Sequence, residues 1–215
     1  MKILQYKEKQ MSWKNLADLI HDSCGRMVLS IGDILEFELK DGTLVRVDVA
    51  GIDTYNDNEV IFCFHDVYWK HSMNTNDTNR GGYAESEMAI YLDDEIFPML
   101  PDELQSVIKP RMIQQNIRGS EYTRNCMLWL PSIYEVAGED YAEYNTDVND
   151  KHLELFKNRR NRVKFDTDNY AQLWWERSPG ISGSTLFMYV YYGGNANGNT
   201  NYASNTYGVV PCFSI

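Results

Sequence analysis

The sequence reads as an α+β domain, and three observations carry that reading. Apolar and polar residues alternate on both sides of Asp41-Gly42, the pattern of a β-hairpin whose turn needs positive φ. Helical spacing of apolar residues recurs near the start of the chain and again in Glu85–Leu92 and Asp102–Ile108. The chain then returns to strand-like runs at Leu186–Tyr192 and Tyr207–Phe213.

Taken in order, Ser12 caps a short helix that places Trp13, Leu16, Ala17 and Ile20 on one face, with Gly25 suited to its exit. Residues 1–29 are therefore expected to form an N-terminal helical extension that docks on a domain spanning 30–215. Ile34–Leu39 and Leu44–Val49 form the hairpin, and Glu59–Phe64 a third strand. Ser72–Gly82 is a polar loop. Met88, Tyr91 and Leu92 turn inward from the next helix; Leu104, Val107 and Ile108 do so from the one after, bracketed by Pro101 and Pro110. Met127–Leu130 resembles a buried strand, and Pro131–Val136 a helical turn ending near Gly138. Residues 139–169 are acidic, then basic, then acidic, with few apolar anchors, so a charged insertion or long surface loop is expected. Gly193–Thr206 is loop or short strand, and Pro211 restricts the final strand to an edge or bulge.

At 215 residues, 43% apolar, the chain can bury one sizeable core. Its net charge of −11 opposes nucleic acid and anionic lipid. The basic run 157–164 is the local exception, and a solvated face is the expectation for it. No stretch is long and apolar enough for a signal-peptide core or a membrane span, so synthesis in the cytoplasm without membrane insertion is expected. Cys24, Cys63, Cys126 and Cys212 are widely spaced and expected to be reduced and mostly buried.

From Ser178 to Ile215 there is no Asp, Glu, Lys, Arg or His, although charged residues are 24% of the chain. Tyr supplies large amphipathic contact area at little rotamer cost, while Asn and Ser supply adaptable hydrogen bonds, the mixture that antibody paratopes use. The candidate ligand-binding residues are therefore Tyr189, Tyr191, Tyr192, Asn195, Asn197, Asn199, Asn201, Tyr202, Ser204, Asn205 and Tyr207, with Trp175 flanking them. A polar, turn-rich loop over a sheet is the competing reading. Trp174 and Trp175 alternate faces on a strand; Trp174 is expected in the core and Trp175 nearer the surface, although the two assignments are interchangeable. Arg177 has five donors suited to backbone carbonyls or a carboxylate.

No chemistry stands out. His21, His65, His71 and His152 have no zinc spacing. Gly193–Thr200 approaches a phosphate-loop pattern but has Asn199 where the lysine belongs. Gly180–Ser184 misses the nucleophile-elbow pattern. Asp53, Asp57 and Glu59, or Asp147, Asn149 and Asp150, offer oxygens for calcium but lack the glycine and terminal glutamate of an EF-hand loop. No catalytic residue, metal site or cofactor is expected.

The run Trp174-Trp175-Glu176-Arg177-Ser178-Pro179, followed by Gly208-Val209-Val210-Pro211, resembles a domain-of-unknown-function family of gut bacteria and their phages. That family carries Trp-Trp-Leu-Arg-Ser-Pro and then Gly-Val-Arg-Pro. Upstream, Gly82, Ser86, Met88, Tyr91 and Leu92, and then Leu128 to Val136, resemble its other segments, so the likeness covers residues 30 to 215. Glu176 stands where the pattern has Leu, and Val210 where it has Arg, which removes a structural Arg contact. The family is similar to the C-type-lectin-like fold in its formylglycine-generating-enzyme-like branch. The resemblance implies small twisted antiparallel sheets, two or three packed helices, long loops and termini brought together. It also implies likeness to the variable proteins of diversity-generating retroelements, whose C-terminal strands and loops carry the binding surface. Formylglycine generation requires reactive cysteines near the C-terminal core, for which Cys212 alone is a poor candidate.

These features lead to a non-enzymatic protein that binds a protein or glycan on a cell surface, as a phage tail adhesin in the virion or a retroelement-diversified receptor would. An intracellular enzyme or small-molecule sensor of the formylglycine-generating-enzyme-like branch is the second reading. The third is a structural tail or scaffold protein whose Tyr/Asn surface joins subunits of a homo-oligomer.

Overall fold

The computed structural model describes residues 11–215; the first ten residues of the expected extension lie outside the described ones. Ser12 caps α1 (Trp13–Leu19) by accepting from the Asn15 amide at 3.2 Å. Helical structure continues through a π-helical turn (Ile20–Cys24) into α2 (Gly25–Val28), so the expected exit at Gly25 is corrected. Glycine permits a stop without obliging one. Trp13 meets Phe37, Phe62 and Phe213 edge-on at 5.4, 5.8 and 6.1 Å, which docks α1 on the first sheet.

That sheet begins with β1 (Ile34–Glu38) and β2 (Leu44–Ile52), paired from Ile34↔Asp48 to Glu38↔Leu44 around Gly42 at φ 86°. β3 (Val60–Phe64), buried along its length, follows. β4 (Trp69–Ser72) starts a second sheet. Ser86 caps α3 (Glu87–Tyr91), which runs through a π-helical turn (Leu92–Ile96) into α4 (Phe97–Met99). α5 (Asp102–Gln105) is shorter than its apolar spacing predicts.

The hairpin of β5 (Arg111–Ile117) and β6 (Ser120–Cys126) is absent from the sequence reading. Its signal was present in the two-residue turn Arg118-Gly119, both at positive φ, as a tight hairpin connection requires. Of Met127–Leu130, Trp129 alone makes a bridge, to Cys212. α6 (Ile133–Ala137) starts with the capping box of Ser132 and Glu135 and ends at Gly138.

Residues 139–169 correct the expectation of a surface loop. Three 3₁₀ turns cross it, and the one at Glu154–Lys157, with Leu153 before it, puts Leu153, Leu155 and Phe156 in the core. The basic run is not a solvated face throughout. Lys164, in the short strand β7 (Lys164–Phe165), is buried and donates to Asp48 at 3.0 Å and to the Phe64 carbonyl at 2.9 Å. β7 pairs with β8 (Ala171–Gln172).

The remaining strands are β9 (Trp174–Pro179), β10 (Leu186–Val190), β11 (Thr200–Tyr202), β12 (Thr206–Val209) and β13 (Cys212–Ser214). The expected single strand from Tyr207 to Phe213 is two. Pro211 lacks the N–H a continuous ladder needs, and there the chain leaves one sheet for the other. The first sheet has order β1-β2-β3-β13, the second β11-β10-β9-β12-β4, with β12 parallel to β9 and the other pairs antiparallel. One contiguous apolar core joins both sheets, α1, α3, α5 and α6. The result is a mixed α/β protein of several small, mainly antiparallel sheets and few helices. Among the described residues, no helix is long and apolar enough to cross a membrane.

Candidate functional site

Three neighbouring strands of the second sheet bring aromatic side chains to one face. Trp175 on β9 is in register with Tyr189 on β10, and Tyr207 on β12 with His71 on β4. The Tyr207 ring lies 4.6 Å from Trp175 and 5.2 Å from Tyr189. Beyond it, His71 stacks on Tyr91 of α3 at 4.2 Å. The Asn201 amide donates to the Tyr207 hydroxyl, and the Asn205 amide to Asn201 Oδ1 at 2.7 Å. Burial, then the neighbouring Tyr207 and Tyr192, raises the Tyr189 pKa. Its hydroxyl is therefore a neutral donor and acceptor at physiological pH.

Trp175 is fully buried, which corrects its expected place near the surface. β9 lies between β10 and β12, so Tyr189 and Tyr207 cover the indole, whose N–H donates to the His71 carbonyl at 3.0 Å. It is the floor of the face. Trp174 takes the other side, against Phe156, and donates to the Arg162 carbonyl.

The other predicted residues divide. Tyr191 and Tyr192 extend the face at the end of β10, exposed, with their rings 4.1 Å apart. Tyr202 is exposed but, next to Asn201 on an edge strand, points to the opposite side. Asn195, Asn197 and Asn199 belong to the loop between β10 and β11, which leans on the 139–169 segment. Arg159 Nε donates to the Gly193 carbonyl at 3.0 Å. At Gly194, with φ +73°, an added Cβ would lie 2.5 Å from the Arg159 carbonyl. Ser204 is exposed and tied to Asp77, with its hydroxyl donating at 2.5 Å. Sequence reasoning missed His71 and assigned Tyr91 only to the core; neither lies near the tail in sequence.

The model of a domain of unknown function, DUF6273, matches residues 56–215. The chain belongs to the DUF6273 family. No curated protein and no solved structure matches it. The whole aromatic face lies within the DUF6273 match, whereas α1, α2, β1 and β2 precede it.

The same DUF6273 region holds a buried ion cluster, of which the sequence indicated only Arg177, suited to carbonyls or a carboxylate. Arg177, fully buried, donates through Nε to Asp147 at 2.5 Å and through Nη2 to both oxygens of Asp150 at 2.7 Å. Nη1 serves Glu135 and the Leu130 carbonyl. Arg111 pairs with Glu135 and with Asp150 at 2.9 Å, its guanidinium 3.8 Å from the Tyr55 ring centroid. Burial works against the Glu135 charge, yet Arg111 and Arg177 hold its pKa down to about 2. Burial pushes Asp150 up to about 7 although Arg177 opposes it; Asp147 and Glu135 add to the rise. Asp147 and Asp150, weighed above as calcium ligands, are spent on Arg177. Asp53 is likewise spent on Arg26 and the Asn58 amide. Among the described residues, no group of three or more His, Cys, Asp or Glu could hold a metal ion.

Cys63 and Cys212 face each other across β3 and β13, free and fully buried; Cys126 is also free and buried. The Cys24 side chain lies outside the described ones. Burial, with Cys63 adding to it, raises the Cys212 thiol well above its usual range, which suits packing and not nucleophilic attack.

Proposed function

We propose that this DUF6273 protein is a non-enzymatic binding protein of C-type-lectin-like fold. On this reading it recognises a protein or glycan surface, as a phage tail adhesin or a retroelement-diversified variable protein does. One observation carries the reading: Tyr189 and Tyr207 lie over a buried Trp175, and Asn201 and Asn205 form a hydrogen-bonded chain to the Tyr207 hydroxyl. Half-buried rings on a rigid sheet offer large contact area at low ordering cost, and the amides add direction. Support for the fold comes from α1 and β13, which pack on one sheet and bring Trp13 to Phe213.

The test is attachment to candidate host cells and a glycan array by wild type, Tyr189→Ala and Tyr207→Ala, each checked by thermal melt. Loss of about 2 kcal/mol, or roughly thirtyfold in affinity, is expected if either ring is an anchor. Attachment unchanged in both folded variants places recognition elsewhere. A reverse transcriptase gene with an adjacent template repeat beside the coding sequence separates the diversified receptor from an ordinary adhesin.

A further inference from the structure

Cys63 on β3 and Cys212 on β13 are directly opposed, with Phe62↔Phe213 and Ile61↔Ser214 continuing the register. In an antiparallel pair, opposed residues alternate between exchanging both backbone hydrogen bonds and exchanging none. Val60 and Ile215 exchange both, at 3.0 and 3.1 Å. Counting along the ladder from there, Cys63 and Cys212 fall on a pair that exchanges none. The Cys212 amide and carbonyl accordingly turn away from β3 and pair with Trp129 at 2.7 and 3.0 Å. At such positions opposed residues come closest, about 4.5 Å between Cα atoms, and their side chains leave the sheet on the same side. A disulfide needs a Cα separation of roughly 4.4–6.8 Å, so this backbone admits the bond.

The surroundings favour the same pair. Burial, then a hydrogen bond with the Cys63 thiol, raises the Cys212 pKa, while the Lys164 ammonium pulls it down. Asp48 and the Phe64 carbonyl hold that ammonium in place. A fixed cation beside the thiols favours the thiolate once burial is relieved. β13 is an edge strand of the first sheet, held on its outer side by single bridges to Lys109 and Trp129. Before it docks, or when it is released, the Cys212 thiol is free to meet an oxidant. Cys126 faces Arg111 across its hairpin and has no cysteine opposite it.

We propose that Cys63 and Cys212 are a disulfide-forming pair, closed by exchange with a low-molecular-weight disulfide and fastening β13 to β3. The Cys212 thiolate attacks one sulfur of a reagent such as oxidised glutathione, breaking that S–S bond and releasing one thiolate. As β13 docks, the Cys63 thiolate attacks the Cys212 sulfur and expels the second. Two protein thiols are oxidised, one disulfide is reduced to two thiols, and the protons lost by the cysteines pass to the released thiolates. In a reducing compartment the pair stays open, and in an oxidising one it closes.

The experiment refolds reduced, full-length protein from urea in excess oxidised glutathione, then unfolds it in iodoacetamide and maps its peptides by mass spectrometry. A peptide linking Cys63 to Cys212 is expected to be the dominant disulfide. The linked protein is expected to melt about 5–10 °C above the reduced one, because the bond closes a loop of most of the chain. Cys126→Ser is expected to keep the link, and Cys212→Ser to lose both the link and the rise in melting temperature. The proposal is overturned if the refolded protein carries Cys63 and Cys212 as free thiols or capped by glutathione, if another cysteine pair dominates, or if the linked form melts no higher than the reduced. Should Cys212→Ser fail to fold, the wild-type peptide map decides.

Discussion

Arg177 and Glu176 are neighbours on β9, both fully buried, and their surroundings are opposite. Arg177 meets Asp147, Asp150, Glu135 and a carbonyl. Neither oxygen of Glu176 has a partner among the described residues. Burial pushes the Glu176 carboxyl up to about 8, with Arg162 pulling the other way. Such surroundings suit an apolar side chain better than a carboxylate.

Folding raises the Glu176 pKa above its ordinary 4.5, so this group's contribution to stability is full below about pH 4.5 and is lost as pH rises toward 8. At pH 7 the loss is on the order of 3 kcal/mol, from about 1.4 kcal/mol per pKa unit. Glu176→Leu is therefore expected to stabilise the protein at neutral pH by about 2–3 kcal/mol, and Glu176→Gln by less, since an amide there also lacks a partner. Urea titrations at about pH 5 and about pH 7.5 check this. The gap between variant and wild type must widen with pH; a constant gap places the proton uptake on another group.

Arg177→Lys keeps the charge but offers three donors where Arg uses five, and leaves buried carboxylates under-paired. A loss of about 3–5 kcal/mol is expected. Chemical denaturation measures it, and a loss under about 1 kcal/mol would show that the cluster tolerates a point charge.

Trp175→Ala removes the floor of the aromatic face and is expected to cost about 3–5 kcal/mol. Tyr191→Ser, Tyr192→Ser, Asn197→Ser and Tyr202→Ser are expected to shift stability by less than about 0.5 kcal/mol each, because those side chains are exposed. Thermal melts of the single variants distinguish the two groups, and a large drop for Tyr202→Ser would mean that it packs.

Gly194→Ala forces a side chain into positive φ against the Arg159 carbonyl. A loss of about 1–3 kcal/mol is expected, read as a lower melting temperature. An unchanged melt would show that the β10–β11 loop lifts away from Arg159 at little cost.

Excess EDTA is expected to leave the melting temperature unchanged. A calcium-dependent rise would reveal a bound ion, since a ligand of the folded state must stabilise it.

What the sequence disclosed were features whose cause is local. Asp41-Gly42 predicts its hairpin, Ser12 its capped helix, and the uncharged tail the exposed Tyr191, Tyr192 and Tyr202. Pairings across distance stayed hidden. Arg177 meets Asp147 from 30 residues away, and Lys164 meets Asp48 from 116, so residues 139–169 looked solvated when several of their charges are neutralised inside. The face was half legible for the same reason: Tyr189 and Tyr207 belong to the tail, but the backbone that receives the Trp175 N–H is 104 residues earlier.

The break at Pro211 also bears on how the chain folds. β12 completes one sheet and β13 the other, so a single short segment is shared by two layers, and neither ladder closes without contacts spanning more than half the chain. Such closure is entropically expensive and comes late, which predicts slow, high-contact-order folding. It also makes the two sheets one cooperative unit. Amide protons in β3 and in β9 should then exchange with the same opening free energy, as parts of one foldon.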